Sequence, residues 1–226
     1  MRHTGERMAK ELWLETMWPT VRSWLPAPPA SVVEIGCGTL GGFVPALTSD
    51  GYEAVGVDPA APEGEAYRRV EFERADLPAP LDAVIACTSL HHVADPAEVL
   101  DRSRGALGAG GVMIMVEWDW EAFDERTARW CLEHSVEPDG WLGRRLEAWT
   151  ESDQSWESFF YAWARDHGLH SPRALMPALD RRFERVLCRR GPYLFPELSG
   201  ATEADEQRAI DARDIQALRI DYVGRL

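Results

Sequence analysis

The stretch Val32-Val33-Glu34-Ile35-Gly36-Cys37-Gly38-Thr39-Leu40-Gly41-Gly42, followed by Tyr52-Glu53-Ala54-Val55-Gly56-Val57-Asp58, leaves few folds open. It reads as an apolar strand, a glycine turn, a helix, and a second apolar strand ending on an acid. Glycines at the tip of the first strand let the backbone approach a ligand closely. An acid at the tip of the second can hold a ribose diol through two hydrogen bonds. Elements in this order build a nucleoside-binding crevice at one edge of a sheet.

The rest of the chain extends that pattern. Apolar runs at 31–35, 54–57, 81–87 and 112–116, with a short one at 70–72, alternate with helical spacing at 42–49 and 95–107. This period predicts an α/β, doubly wound, mostly parallel seven-stranded sheet of Rossmann-like type. Residues 6–25 read as an amphipathic helix broken near Pro19. Seven of the ten tryptophans fall between 118 and 163, in a region of helical pattern that predicts a cap inserted after strand five. Trp149, Trp156 and Trp163, seven apart, are expected along one helical stripe. Extended segments at 183–188 and 193–198, a polar helix at 202–217 and a last strand at 218–223 complete the reading. The expected organisation is an N-terminal helix and linker (1–30), a cofactor-binding core (31–118), a tryptophan-rich substrate cap (119–181), and closing core elements (182–226).

Charge and cysteine usage narrow the function. A net charge of −14 opposes a phosphate backbone, so no nucleic-acid partner is expected. No apolar run approaches the ~20 residues that span a bilayer. The N-terminus leads into no apolar signal segment, and the scattered cysteines (37, 87, 131, 188) predict no structural disulfide, so a cytoplasmic protein is expected.

Three ligands compete for the crevice. A phosphate-binding loop needs a lysine–hydroxyl pair after its glycines, which is absent. A dinucleotide fingerprint is formally matched by Gly36, Gly38 and Gly41, but Glu34 would face a pyrophosphate unfavourably. A carboxylate there suits a ligand carrying an ammonium and a sulfonium, such as S-adenosylmethionine.

In its motifs the chain resembles the class I S-adenosylmethionine-dependent methyltransferases. The carriers are Val-Glu-Ile-Gly-Cys-Gly (33–38), Gly-Val-Asp-Pro (56–59), Arg-Ala-Asp-Leu-Pro (74–78), the strand-four segment 82–96 containing Ser-Leu-His-His, and Leu-Gly-Ala-Gly-Gly (107–111). The closing Asp-Tyr-Val-Gly-Arg (221–225) is similar to small actinobacterial-type methyltransferase-like proteins. The resemblance implies S-adenosylmethionine as cofactor, S-adenosylhomocysteine as product, and a cofactor-binding set of Glu34, Gly36, Cys37, Gly38, Asp58, Pro59, Asp76, Leu77 and Cys87. Glu34 would order the turn or face the amino group, Asp58 would accept from the ribose hydroxyls, and Asp76 with Leu77 would read the adenine. Many members place a third glycine where this chain has Leu40, so a re-shaped turn is expected.

Methyl transfer is an in-line displacement governed by positioning, and a base is needed only where the nucleophile's proton leaves early. His91, His92 and Glu117 at the functional edge are the catalytic candidates, and Trp118, Asp119 and Trp120 the substrate-pocket candidates. No metal is expected. The expected activity is methyl transfer from S-adenosylmethionine to an O, N or C atom of a metabolite, in secondary metabolism. The alternatives are another displacement on the same fold, such as ring closure in natural-product biosynthesis, or a non-catalytic partner subunit. Trp13, Trp18 and Trp24 offer a face through which the N-terminal helix would meet a homodimer or heteromeric partner.

Overall fold

Strands buried on both faces need continuous apolar runs rather than alternation, and the longest such runs form the centre of the sheet. The protein, described here by a computed structural model, is placed from residue 2 to 226, with side chains described from residue 5. The elements are β1 (Ser31–Ile35), β2 (Glu53–Val57), β3 (Tyr67–Arg68), β4 (Leu81–Cys87), β5 (Leu107–Trp118), β6 (Glu184–Gly191) and β7 (Arg219–Arg225), with α1 (Arg2–Arg22), α2 (Val44–Ser49), α3 (Pro96–Ala106), α4 (Glu125–Glu133), α5 (Trp141–Thr150), α6 (Trp156–Asp166), α7 (Pro172–Asp180) and α8 (Glu203–Asp211). The seven strands run in the order β3-β2-β1-β4-β5-β7-β6. The pairs β1–β2, β1–β4, β2–β3 and β4–β5 are parallel. The sheet is mostly parallel with one antiparallel hairpin.

The chain divides into two units. The sheet unit comprises Met17–Glu117, His170–Arg189 and Ile220–Leu226. Its core gathers Val33, Ile35, Val84, Leu100, Met113 and Tyr222, all fully or almost fully buried. The aromatic unit comprises Met1–Thr16, Trp118–Leu169 and Arg190–Arg219, and its core gathers Trp118, Trp149, Trp156, Phe160 and Leu194.

Several elements differ from the sequence expectation, each for a local reason. Helix α1 starts earlier and passes through Pro19, because a proline one turn from the end removes little of the hydrogen-bond ladder. The third strand is Tyr67–Arg68, paired with Gly56 and Val57, whereas 70–72 leads into a 3₁₀ turn at Phe72–Arg74 whose Phe72 is buried. Two edge residues leave no periodicity to read, and the apolar pair beside them belongs to the core. The segment 193–198 is not extended: the buried Glu206 carboxylate accepts from the N–H groups of Tyr193, Leu194 and Phe195 at 2.7–3.1 Å, bending the chain into a 3₁₀ turn at Phe195–Glu197. Helix α8 stops at Asp211, with Arg213 at φ 64° just beyond.

The tryptophan stripe is also divided. Trp149 ends α5 and Trp156 begins α6, separated by a turn that closes on the Ser155 N-cap. The two rings meet edge to face at 5.2 Å. In α1, Trp13 is buried against Tyr193 at 5.0 Å, and Trp18 is half-buried against Phe43 at 5.8 Å. The expected exposed tryptophan face therefore fails at Trp13, whose ring fills the aromatic unit. Among the described residues no helix is long and apolar enough to cross a membrane.

Candidate functional site

The glycine turn after β1 carries four left-handed residues: Gly36 (φ 76°), Gly38 (59°), Gly41 (81°) and Gly42 (56°). At three of them, Gly36, Gly41 and Gly42, there is no room for a side chain. A Cβ on Gly36 would lie 2.3 Å from Ser89 Cβ, and one on Gly42 would lie 2.2 Å from Glu34 Oε1. Over Gly38 there is open space. Leu40 is followed by Gly41 and Gly42, whose left-handed conformations carry the turn into α2.

Glu34 explains why the second pair is needed. Its carboxylate is buried and accepts from Phe43 N–H at 2.7 Å, serving the start of α2, whose N-cap residue Phe43 has no capping side chain. Of the two roles open to Glu34, ordering the turn is the one whose partners are present. Burial pushes its carboxyl up to about 8, against the lowering effect of the Phe43 and Val44 backbone N–H groups. Cys37 is buried, and burial raises its thiol to about 12, so it packs as a small apolar residue. Cys87 ends β4 and is equally buried.

Asp58 stands at the end of β2. Its Oδ2 accepts from Gly38 N–H at 3.0 Å, and its Oδ1 from Ala60 N–H at 2.7 Å. Each oxygen holds one backbone donor and keeps a second lone pair for a diol. Pro59 and Asp76 are exposed nearby in sequence, and Leu77 is half-buried. Tyr67, which the sequence analysis did not single out, lies against Gly41: a Cβ there would meet its hydroxyl at 2.4 Å. An adenosyl group fits this donor set on two counts, the open space over Gly38 and the spare acceptor capacity of Asp58.

Beyond β4 the chain turns sharply at Thr88, a β-branched residue at φ 49° whose N–H donates to Val116 C=O at 2.7 Å. Strain of this kind recurs at functional loops. Ser89 Oγ donates to Ile35 C=O at 2.8 Å, tying this loop to the end of β1. The buried Glu117 then bridges β5 to the same loop: Oε2 accepts from Leu90 N–H at 3.1 Å and Oε1 lies 2.5 Å from His91 Nδ1. His92 is exposed, its ring 4.0 Å from that of His91. His170, another residue the sequence left unassigned, clamps the loop: its backbone N–H donates to His91 C=O at 2.9 Å and its Nε2 to Val93 C=O at 2.7 Å. It lies 77 positions from Val93, so no sequence motif could pair them.

The three pocket candidates after Glu117 belong to the aromatic unit and are all buried. Trp118 stacks on Tyr193 at 5.5 Å and meets Trp141 and Phe160 edge to face. Trp120 meets Tyr161 at 5.6 Å. Asp119 pairs with Arg190 through Oδ2 and keeps Oδ1 buried without a hydrogen bond. Among the described residues no group of three or more His, Cys, Asp or Glu could hold a metal ion.

This arrangement has relatives. The chain aligns at 32% identity over 143 residues, 53% of its own length, with an uncharacterised 37.1 kDa protein in a transposon of Streptomyces fradiae. It spans about two fifths of that relative's length, 41%. Among solved structures, an S-adenosylmethionine-dependent methyltransferase from Mesorhizobium loti superposes with a TM-score of 0.58 at 17% identity, covering 94% of this chain and 100% of its own. Geranyl diphosphate C-methyltransferase from Streptomyces coelicolor, solved with Mg²⁺, geranyl diphosphate and S-adenosyl-L-homocysteine, superposes with a TM-score of 0.54 at 14% identity, covering 96% of this chain and 79% of its own. At these identities the structures share the fold, and the family follows from a separate match: the model of the methyltransferase domain fits residues 2–182. The chain therefore belongs to the methyltransferase domain family.

Proposed function

We propose that this domain moves a methyl group from S-adenosylmethionine to an oxygen, nitrogen or carbon atom of a small-molecule acceptor. The observation that carries the reading is the junction of Gly38 and Asp58: a left-handed glycine under open space, its N–H on the carboxylate that ends β2. Bound S-adenosylmethionine would supply a methyl group already activated by a sulfonium leaving group. Asp58 would hold the ribose hydroxyls, the 36–38 backbone would line the methionine end, and Asp76 with Leu77 would meet the adenine. A fold neighbour solved with geranyl diphosphate and S-adenosyl-L-homocysteine supports a metabolite acceptor, as does a surface too acidic for nucleic acid.

His91 is the residue proposed to take a proton. Glu117 accepting from Nδ1–H would fix the tautomer, place the basic lone pair on Nε2 and stabilise the imidazolium once formed. Glu117 is in turn held by Leu90 N–H, so it acts as a positioning group.

Calorimetric titration with S-adenosylmethionine and S-adenosylhomocysteine tests the reading. Saturable binding of both is expected, weakened roughly 10–100-fold in Asp58→Ala; an absence of heat and of thermal shift at millimolar cofactor would overturn it. Once an acceptor is in hand, Glu117→Gln is expected to lower kcat for acceptors that lose a proton, by roughly 10²-fold. Cofactor affinity should stay the same.

A further inference from the structure

The Leu-Gly-Ala-Gly-Gly motif (107–111) lies at the edge of the sheet opposite the Gly36–Asp58 crevice, and the methyl-transfer reading makes no use of it. Its geometry is unusual. Leu107 pairs with Leu81 and Val112 with Ala83, so residues 108–111 stand opposite the single residue Asp82. The glycine segment thus leaves the ladder and loops outward. Gly110 is left-handed at φ 77° with open space above it, and Gly111 C=O accepts from Leu226 N–H at 3.2 Å.

Beneath this loop is a cavity of about 280 Å³, lined among others by Ser23, Trp24, Asp82, Gly110 and Arg225. All of these residues belong to the sheet unit. Asp82 uses Oδ2 to accept from Ser31 N–H at 2.8 Å, which fixes the carboxylate at the rim. Arg225 faces the same space, yet it pairs neither with Asp82 nor with any other described carboxylate. Two opposite charges thus line one cavity without meeting. An anion alone would meet Asp82 unfavourably, and a cation alone would meet Arg225. A molecule carrying both charges satisfies each, and the volume lies at the small end of ligand sites.

We propose that this cavity binds a zwitterionic small molecule of the free α-amino-acid class. The Arg225 guanidinium takes its carboxylate, a planar pairing that arginine favours. Asp82 takes its ammonium group, and the Trp24 ring lies beside its apolar side chain. The site is separate from the cofactor crevice, and its occupancy does not depend on methyl transfer.

The test is an amide NMR titration of the full chain with L-leucine, run beside 4-methylpentanoate, which lacks the ammonium group, and leucinol, which lacks the carboxylate. Saturable shifts centred on Trp24, Gly110, Gly111 and Arg225 are expected with L-leucine, and only weak ones with the two analogues. Arg225→Gln and Asp82→Asn should each weaken binding roughly tenfold, the size of one lost charged contact. Because Asp82 also caps the start of β1, the exposed Arg225→Gln is the variant that decides. Its amide spectrum away from the cavity should match the parent. Shifts centred on residues 36–38 and 58, equal binding of leucinol, or no shift at tens of millimolar L-leucine would each overturn the proposal.

Discussion

Two buried glutamates, one in each unit, do the same local job in different surroundings. In the sheet unit Glu34 accepts from Phe43 N–H at the start of α2. In the aromatic unit Glu197 faces Leu142 N–H at 3.5 Å, at the start of α5. Neither helix has a capping side chain of its own, so a carboxylate from another element supplies the missing acceptor. In both cases burial raises the carboxyl, to about 8 for Glu34 and to about 7 for Glu197. Near Glu197, Glu6 adds to the rise while Arg144 and Lys10 oppose it, whereas near Glu34 Asp58 adds to it. Glu34 thus lies beside Asp58 at the glycine turn, and Glu197 lies among charges of both signs.

The units differ more in what stabilises them. The sheet unit adds backbone geometry to a largely aliphatic core: left-handed glycines, a strained Thr88 and carboxylates holding N–H groups. The aromatic unit depends on ring packing, with Trp156 fully buried among Phe123, Trp149 and Phe160. The largest effect of any substitution is therefore expected from Trp156→Ala, at about 3–5 kcal/mol of lost stability in denaturant unfolding. A loss below 1 kcal/mol would mean that the aromatic cluster does not hold its unit together.

Asp58→Ala sharpens the other side of the comparison. Removing a charged acceptor of two ribose hydroxyls should weaken S-adenosylhomocysteine binding by roughly 10–100-fold, at about 1.5–3 kcal/mol for hydrogen bonds to a charged group. Its melting temperature should move far less than that of Trp156→Ala. Equal losses of binding and stability would remove the distinction between the units.

A further effect is expected from pH. Each glutamate binds its proton more tightly folded than unfolded, so the native state carries the extra proton from the ordinary glutamate value of 4.5 up to the raised value. Stability from these groups is fullest below pH 4.5 and falls as pH rises, through about 8 for Glu34 and about 7 for Glu197. Thermal melting between pH 5 and 8 should therefore show a downward slope that flattens in Glu34→Gln over the whole window, and in Glu197→Gln only up to neutrality. Unchanged slopes would show that the carboxyls titrate normally.

The smallest stability change is expected at Gly38. Alanine there meets no atom and carries only the left-handed penalty, about 1–2 kcal/mol. At Gly42 the same change drives a Cβ into Glu34 and should cost distinctly more. A reversed order in chemical denaturation would show that the turn is not held by Glu34.

Much of the sheet unit was readable because its signals are local. Strands β1 and β4 lie where their apolar runs predicted, and α3 falls within the helical spacing read over 95–107. The crevice glycines and Asp58 were legible too, since turn chemistry and strand ends leave marks within a few residues. The aromatic unit was less so. Its tryptophans announced a helical, ring-packed layer, but the seven-residue spacing of Trp149 and Trp156 suggested one helix where a turn makes two.

The sequence by itself determined the order of elements, the family motifs and the acid that faces the glycine turn. These follow from backbone propensity and from charge at fixed offsets along one strand–turn–helix path. Only the tertiary structure decided that Glu34 serves α2, that Glu117 meets both Leu90 and His91, that His170 clamps their loop, and that Arg225 shares a cavity with Asp82 without pairing to it. All but the first join residues far apart in the chain, and buried polar groups find such partners through packing rather than proximity in sequence.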